Sequence, residues 1–134
     1  MKVTLRKFEE RDIKNKVRWI NDSANNQYLH YELPLEEEKT KQWYGKIKNR
    51  TDRYDAVIEC DGKAVGVIGL LEIKNGQAEY YVTLGETEYR GKGIAKSATF
   101  LLLDYAFTIL KLRMVYLYTE TANRGAQKIG RAHV

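Results

Sequence analysis

The stretch that decides the fold runs from Gln77 to Leu110 and reads QAEYYVTLGETEYRGKGIAKSATFLLLDYAFTIL. It predicts a strand over Gln77–Leu84, then a turn containing Gly91 and Gly93, then a long helix that begins at Ile94. The start of a helix leaves about four backbone N–H groups without partners and carries partial positive charge. Glycines allow an anion to approach that backbone closely. The pattern therefore predicts an anion site, and a pyrophosphate fits it best.

Upstream, the sequence predicts an antiparallel meander that leads into this turn. Tyr54–Cys60 and Ala64–Ile73 are rich in β-formers and are joined by Asp61-Gly62, a strong signal for a two-residue hairpin. Asn75-Gly76 is a second hairpin signal, and it leads into Gln77–Leu84. The near-continuous apolar run of the middle strand predicts a central position in the sheet.

The remaining segments predict helices that flank this sheet. Apolar spacing predicts a first helix from Asp12, its candidate N-cap. Pro34 precedes an acidic first turn, Glu36–Glu38, which predicts a second helix that runs to about Lys48. Outer strands are predicted at Val3–Arg6 and Met114–Thr119. On the long helix, we expect one buried face formed by Ile94, Ala98, Leu101, Tyr105 and Ile109.

The surroundings of the glycine turn narrow the class of nucleotide. From Arg90 to Arg113 there are five basic residues and one acid, which suits a phosphate-rich ligand. The Gly-Lys-Ser/Thr ending of a Walker loop is absent. A dinucleotide-binding turn would follow the first strand of a parallel sheet, whereas this turn follows an antiparallel meander.

Arg90, Gly93 and Ala95 match the motif Gln/Arg-x-x-Gly-x-Gly/Ala, and the chain resembles the GNAT N-acetyltransferases. The resemblance covers nearly the whole chain, including Trp19-x-Asn21-Asp22, the block from Val57 to Leu70, and Asn123-x-x-Ala126. It is strongest toward the branch that holds ribosomal-protein, spermidine and nucleotide-sugar acetyltransferases. It implies one α+β domain over residues 1–134, with a mostly antiparallel sheet flanked by helices.

The resemblance also implies acetyl-CoA as the co-substrate. The pantetheine arm would pair with Val82, Thr83 and Leu84, and Asn123 matches an asparagine that contacts the same region. The pyrophosphate would be held at Arg90, Gly91, Lys92, Gly93, Ile94, Ala95 and Lys96.

Direct transfer to an amine needs a group that removes the amine proton. Glu79 is the only acid between Gln77 and Leu84 and matches a recurrent family glutamate, so it is the candidate base; an exposed strand glutamate is the alternative. The family tyrosine that protonates the leaving thiolate would fall on Gly130, so the general acid is left unassigned.

Acceptor specificity is expected to come from the first two helices and the segment between them. The candidate contacts are Trp19, Asn21, Tyr31 and Trp43, with core packing as the alternative for both tryptophans. The acidic run Glu36–Glu38 is explained by a helix start, and attraction of a polyamine is the alternative. We expect a small amine or amino-sugar acceptor, with a protein N-terminus as the rival.

The end of the chain departs from the family pattern. Residues 129–134, Ile-Gly-Arg-Ala-His-Val, match one reading frame of a common sequencing adapter, so we expect them to be non-native and the domain to lack its final helix and strands. An edge at Met114–Thr119 would then be exposed. A non-catalytic acyl-CoA-binding or interaction module is the alternative function for such a chain.

Composition limits the other classes of function. The net charge of +5 is spread among acids, which disfavours nucleic-acid binding. No apolar run reaches the roughly 18 residues of a membrane span, so we expect a cytoplasmic protein with no membrane partner. His30, His133 and Cys60 suggest no metal site, and a buried thiol is expected at Cys60. A homodimer is the expected assembly.

Overall fold

The computed structural model describes residues 1–26, 32–118 and 126–131, with residues 118 and 126–131 described by their backbone. In chain order the elements are β1 (Val3–Lys7), α1 (Ile13–Asn21), α2 (Glu37–Ile47), β2 (Tyr54–Cys60), β3 (Lys63–Lys74), β4 (Gln77–Leu84), α3 (Ile94–Thr108), β5 (Met114–Tyr118) and β6 (Ala126–Arg131). The strands form one sheet in the order β1-β2-β3-β4-β5-β6.

The predicted meander and its two hairpins are confirmed. β1, β2, β3 and β4 are antiparallel neighbours, whereas β4 pairs with β5 in parallel. Both hairpin turns have two successive residues with positive φ, Asp61-Gly62 at 52° and 84° and Asn75-Gly76 at 53° and 75°. That conformation matches the right-handed twist of the paired strands, which is why Asp-Gly and Asn-Gly favour it. The fold is therefore α+β with a mostly antiparallel sheet, as predicted.

Each face of the sheet buries its own apolar cluster. On one face, α3 packs on side chains that include Ile58, Ile68 and Leu70. On the other, Val57 and Val67 pack with Phe8, Ile13 and Trp19, and α2 contributes partly buried rings. Because side chains alternate along a strand, neighbouring residues of β4 point to different clusters. Cys60 is buried, as predicted.

The buried stripe of α3 agrees with the predicted one at Ile94 and Ala98 and differs from it further along the helix. Leu101 is 40% exposed and Ile109 is 65% exposed, whereas Leu102 and Ala106 are fully buried. The helix is apolar around most of its circumference, so its periodicity allows either stripe. The small side chains of Ala98 and Ala106 allow the helix to lie close to the sheet, and this packing selects the stripe.

Asp12 does not cap α1 with its side chain. A 3-10 turn, Glu10–Asp12, precedes the helix, and the Asp12 carboxylate accepts hydrogen bonds from the Arg6 guanidinium at 2.8 Å and the Glu9 backbone N–H at 2.9 Å. Burial favours the neutral carboxyl, but the bonds from Arg6 outweigh it and lower the pKa of Asp12. The aspartate therefore joins β1 to the start of α1.

The expected exposed edge at β5 is wrong. β6 pairs with β5 in antiparallel register from Met114 opposite Arg131 to Tyr118 opposite Ala126. Backbone pairing therefore covers this side of β5, and Ile129–Arg131, which we expected to be non-native, lie in β6. The sequence also predicts a turn at Thr121–Asn123 into another helix; these three residues lie outside the described residues, and the described backbone after them is a strand, β6, and not a helix.

Candidate active site

The predicted anion loop lies between the end of β4 and the start of α3. A 3-10 turn, Thr87–Tyr89, leads to Gly91 and Gly93, which have φ of 75° and 78°. Gly93 is the N-cap of α3, and the helical bonds begin with the Ser97 N–H donating to the Gly93 carbonyl at 3.0 Å. The N–H groups of the first turn therefore face outward from the helix end, as an anion site requires.

The space around the two loop glycines is open. No atom of the described residues lies within 4 Å of where a Cβ would stand on Gly91 or Gly93. By contrast, a Cβ on Gly85, at the start of the same loop, would lie 2.1 Å from the Trp19 ring. The loop is thus packed against the protein at its beginning and open at its end, where the backbone N–H groups are exposed.

Basic side chains flank the open part of the loop. Lys63 and Lys92 place their Nζ atoms 5.4 and 5.8 Å from the Tyr89 ring centroid, and Lys96 is exposed in the first turn of α3. Arg90 points elsewhere, because its guanidinium donates to the Ala24 carbonyl at 3.1 Å. Lys63 also forms an ion pair with Glu88 at 3.4 Å, so the positive charge beside the loop comes mainly from Lys92 and Lys96.

Next to the loop, β4 and β5 separate. Their parallel pairing covers Gln77–Glu79 against Met114–Tyr116 and stops there, although β4 continues to Leu84 on its β3 side. Val82, Thr83 and Leu84 therefore present a backbone edge toward β5 with no strand partner among the described residues. An extended ligand can add to such an edge through main-chain hydrogen bonds. The opening leads toward the start of α3.

Tyr80 fixes the distance between β4 and α3. Its hydroxyl hydrogen-bonds to the Thr99 hydroxyl, which donates to the Ala95 carbonyl at 2.8 Å. Burial raises the pKa of Tyr80, so the phenol stays protonated. The first turn of α3 is thereby held against the strand that borders the gap.

Glu79 lies at the point where the two strands part. It is half-buried, pairs with Leu71 on β3 and Tyr116 on β5, and is the last residue of β4 in the parallel register. Alternation places its side chain on the α1–α2 face, because Ala78 and Tyr80 belong to the cluster under α3. An acid in this position borders both the gap and the expected acceptor side.

The candidate acceptor residues have different environments. Trp19 is 1% exposed, so the core-packing alternative describes it, and Trp43 is partly buried against Phe8 at a centroid distance of 5.9 Å. The Asn21 carboxamide donates to the Leu35 carbonyl at 2.9 Å and accepts from the Leu35 N–H at 2.6 Å, joining α1 to the approach to α2. Tyr31 and Asn123 lie outside the described residues.

A polar cluster beneath α1 and α2 was missed by the sequence reasoning. The Asp55 carboxylate, 6% exposed, accepts two hydrogen bonds from Arg53 at 2.8 Å and one from the Tyr81 hydroxyl at 2.5 Å. Lys16 lies nearby with its Nζ 3.6 Å from the Trp43 ring centroid, and burial lowers its pKa to about 8 against the opposing charge of Asp55. The sequence carries little signal of this cluster, because Asp55 is a single acid beside the apolar run Ala56–Ile58 of β2.

Glu86 forms a second missed contact, between the loop and α1. Its carboxylate accepts from the Trp19 indole N–H at 2.5 Å and from Arg18 at 2.6 Å. Burial favours the neutral carboxyl, but these hydrogen bonds outweigh it and hold the pKa of Glu86 below its usual value. The start of the loop is thus fixed to the last turns of α1.

The glycine loop lies at the start of α3, as the sequence predicted, and β4 carries both Glu79 and the edge Val82–Leu84 beside the gap. Within the described residues, no group of three or more His, Cys, Asp or Glu side chains could hold a metal ion, and no helix is long and apolar enough to cross a membrane. Gly130, where the family tyrosine would fall, pairs with Val115.

Comparison with known proteins agrees with this geometry. Residues 2–132 match the acetyltransferase (GNAT) domain family. The chain is 33% identical over 133 residues to the spermidine N(1)-acetyltransferase of Escherichia coli K12, which covers 96% of this chain and 70% of that protein.

Solved structures of spermidine N-acetyltransferase from Vibrio cholerae have the same fold. The complex with CoA and spermine has a TM-score of 0.80 at 29% identity, covering 87% of this chain and 70% of that one. A dodecameric form has a TM-score of 0.75 at 26% identity, covering 90% and 71%. With a family match over nearly its whole length and a relative above 30% identity, the chain belongs to the GNAT acetyltransferases and is an enzyme of that family.

Proposed function

We propose that this protein transfers the acetyl group of acetyl-CoA to a primary amine of a small polyamine such as spermidine. The observation that carries the proposal is the separation of β4 from β5 directly beside an open glycine loop at the start of α3. The relatives named for spermidine support the acceptor class. Because acetyl-CoA is the co-substrate, we place the enzyme in the cytoplasm.

In this proposal the co-substrate lies along β4 and ends at the loop. The backbone of Val82, Thr83 and Leu84 pairs with the pantetheine arm, and Asn123 contacts the same region. The N–H groups from Arg90 to Lys96 hold the diphosphate, since Gly91, Gly93 and the helix start offer donors and partial positive charge there. Lys92 and Lys96 add long-range attraction.

Glu79 is the proposed general base. It takes a proton from the acceptor ammonium, and the neutral nitrogen then attacks the thioester carbonyl. A C–N bond forms, the C–S bond breaks, and the second proton of the attacking nitrogen passes to the departing thiolate, directly or through water, so that CoA is released as the thiol. A backbone N–H near Val82 is the proposed donor to the oxyanion. The half-buried position of Glu79 at the fork supports this role, because the base must reach the acceptor while bordering the thioester.

The test is a thiol-release assay over a panel of amines: spermidine, spermine, glucosamine and a peptide with a free N-terminus. We expect CoA release to be fastest with the two polyamines. If CoA were released only with the peptide, the acceptor would be a protein N-terminus and not a small molecule. CoA binding without release on any amine would support the non-catalytic module.

Substitution of Glu79 tests the base directly. Glu79→Gln keeps the size of the side chain and should lower kcat by about 10²- to 10⁴-fold, with loss of the acidic limb of the pH profile. Glu72→Gln is the matched control, since Glu72 is an exposed carboxylate on the neighbouring strand. Full turnover of Glu79→Gln across the pH range would exclude this assignment.

We also propose that the protein is a homo-oligomer. The dodecameric Vibrio cholerae relative supports assembly in general, and the dimer expected from the sequence would be its smallest form. Light scattering coupled to size-exclusion chromatography measures the mass, and a 15.6 kDa species at micromolar concentration would contradict the proposal.

A further inference from the structure

The side chain of Arg90, in the glycine loop, contacts the segment that follows α1 and not the open side of the loop. Its Nη2 atom donates to the Ala24 carbonyl at 3.1 Å and to the carboxamide oxygen of Asn25. Ala24 and Asn25 lie 66 and 65 residues away in sequence. The guanidinium of the motif arginine therefore hydrogen-bonds to the protein itself.

Asn25 completes the connection with its other end. The carboxamide nitrogen donates to the Trp19 carbonyl at 2.9 Å and to the Gly85 carbonyl at 3.0 Å. One partly buried side chain thus bonds the last turn of α1, the first residue after β4 and the guanidinium of Arg90. Both N–H groups of this carboxamide therefore donate to backbone carbonyls, and its oxygen accepts from Arg90.

The backbone around Asn25 is arranged to support these bonds. The Asp22 carbonyl accepts from the Asn25 N–H at 2.9 Å, and the Asp22 carboxylate accepts from the Ala24 N–H at 2.9 Å, which closes a tight turn after α1. The turn directs the Ala24 carbonyl and the Asn25 side chain toward the loop. This turn belongs to the segment between α1 and α2, from which acceptor specificity is expected on the basis of the sequence.

We infer that Asn25 and Arg90 are positioning residues that couple acceptor binding to acetyl-CoA binding. Fixing the loop backbone around a diphosphate also fixes Arg90, and through it the turn at Ala24 and Asn25. An acceptor that binds the α1–α2 segment then meets a segment that is already ordered, so each ligand tightens the other. The inference rests on the proposed function only in taking this segment as the acceptor side.

The coupling is measured with CoA and spermidine, a pair that cannot react. Titration calorimetry gives the Kd of CoA with and without saturating spermidine, and the ratio is the coupling factor. We expect a factor of about five or more for the unmodified protein. Asn25→Leu and Arg90→Met should each reduce it to below about two, and the double variant should fall no further, because both remove one connection.

Two further variants distinguish a positioning role of Arg90 from direct binding of phosphate. Lys92→Met removes a loop charge outside the connection, so it should weaken CoA binding while leaving the coupling factor unchanged. Arg90→Gln removes the charge but keeps a side-chain N–H donor, and should retain much of the coupling. If Arg90→Met weakened CoA like Lys92→Met and kept the full coupling factor, Arg90 would be a phosphate ligand and the inference would be overturned.

Hydrogen exchange gives a readout that needs no acceptor. CoA alone should slow amide exchange in residues 22–26 of the unmodified protein and of Lys92→Met, but not of Asn25→Leu or Arg90→Met. If spermidine failed to bind while this pattern held, the acceptor class would be wrong and the connection correct. Equal protection of residues 22–26 in all variants would overturn the connection itself.

Discussion

Gly93→Ala should have two effects that can be measured separately. Backbone strain in the loop lowers the free energy of unfolding, and obstruction of the proposed diphosphate site raises the Kd of CoA. Gly93 has φ of 78°, a conformation that costs an alanine about 1–2 kcal/mol relative to glycine. No described atom lies within 4 Å of the new Cβ, so no clash adds to this cost. We expect the free energy of unfolding to fall by about 1 kcal/mol.

The effect on CoA binding should be much larger. The methyl group would project into the open side of the loop, where, in the proposed function, the diphosphate approaches the N–H groups at the start of α3. Loss of one hydrogen bond to a charged group costs about 1.5–3 kcal/mol, which corresponds to a Kd raised about 10- to 100-fold. Titration calorimetry with CoA measures the Kd, and urea unfolding measures the stability.

Gly62→Ala is the matched control for this comparison. Gly62 has φ of 84° at the tip of the β2–β3 hairpin and is likewise free of neighbours within 4 Å among the described residues. Gly62→Ala should therefore lower the free energy of unfolding by about the same amount as Gly93→Ala. Its Kd for CoA should stay within about two-fold of that of the unmodified protein, because Gly62 lies outside the loop. If Gly93→Ala lost stability but kept its Kd, or if both variants raised it equally, the loop would not be the diphosphate site.

Three further predictions concern the packing that holds the site. Gly85→Ala should lower the free energy of unfolding by about 1–3 kcal/mol in urea titrations, because its Cβ would overlap the Trp19 ring; unchanged stability would contradict this packing. Asp55→Asn should cost about 3–5 kcal/mol, since it removes the buried carboxylate that accepts from Arg53 and Tyr81; a loss below 1 kcal/mol would contradict that. Lys16 has its pKa lowered to about 8 from an ordinary 10.5, so its charge opposes folding fully below pH 8 and not at all above pH 10.5. The stability of the unmodified protein relative to Lys16→Met should therefore rise by about 2–3 kcal/mol between pH 7.5 and 10.5, and a flat difference would contradict the assignment.

Local signals account for the parts of the fold that the sequence predicted well. Asp61-Gly62 and Asn75-Gly76 determine where the strands turn, and β2 and β4 have the predicted bounds. The stripe of α3 was not predictable in the same way, because Leu101 and Leu102 are equally apolar and only the contact with the sheet distinguishes them. The strand at Ala126–Arg131 has no apolar alternation, and its pairing with β5 comes from tertiary structure.

The same distinction applies to the site. Gly91, Gly93 and the following helix form a local pattern, so the sequence located the loop. The bonds of Asn25 to Gly85 and Arg90 join residues 60 and 65 positions apart, and a short polar side chain after a helix carries no signal of such partners. The family motif names Arg90 as a loop residue, yet the direction of its side chain depends on where α1 ends.

These long-range contacts restrict a loop that its two glycines would otherwise leave flexible. A loop with two glycines at positive φ gives an anion access to its backbone, but it also loses more conformational entropy on ordering than other sequences do. α3 fixes one end of this loop through its first turn, and α1 fixes the other through Trp19, Glu86 and Asn25. Because a preformed loop binds more tightly than one that must be ordered, the last turns of α1 should influence CoA affinity without touching CoA. On this reasoning, α1 supports the proposed co-substrate site through the loop and not through contact with CoA.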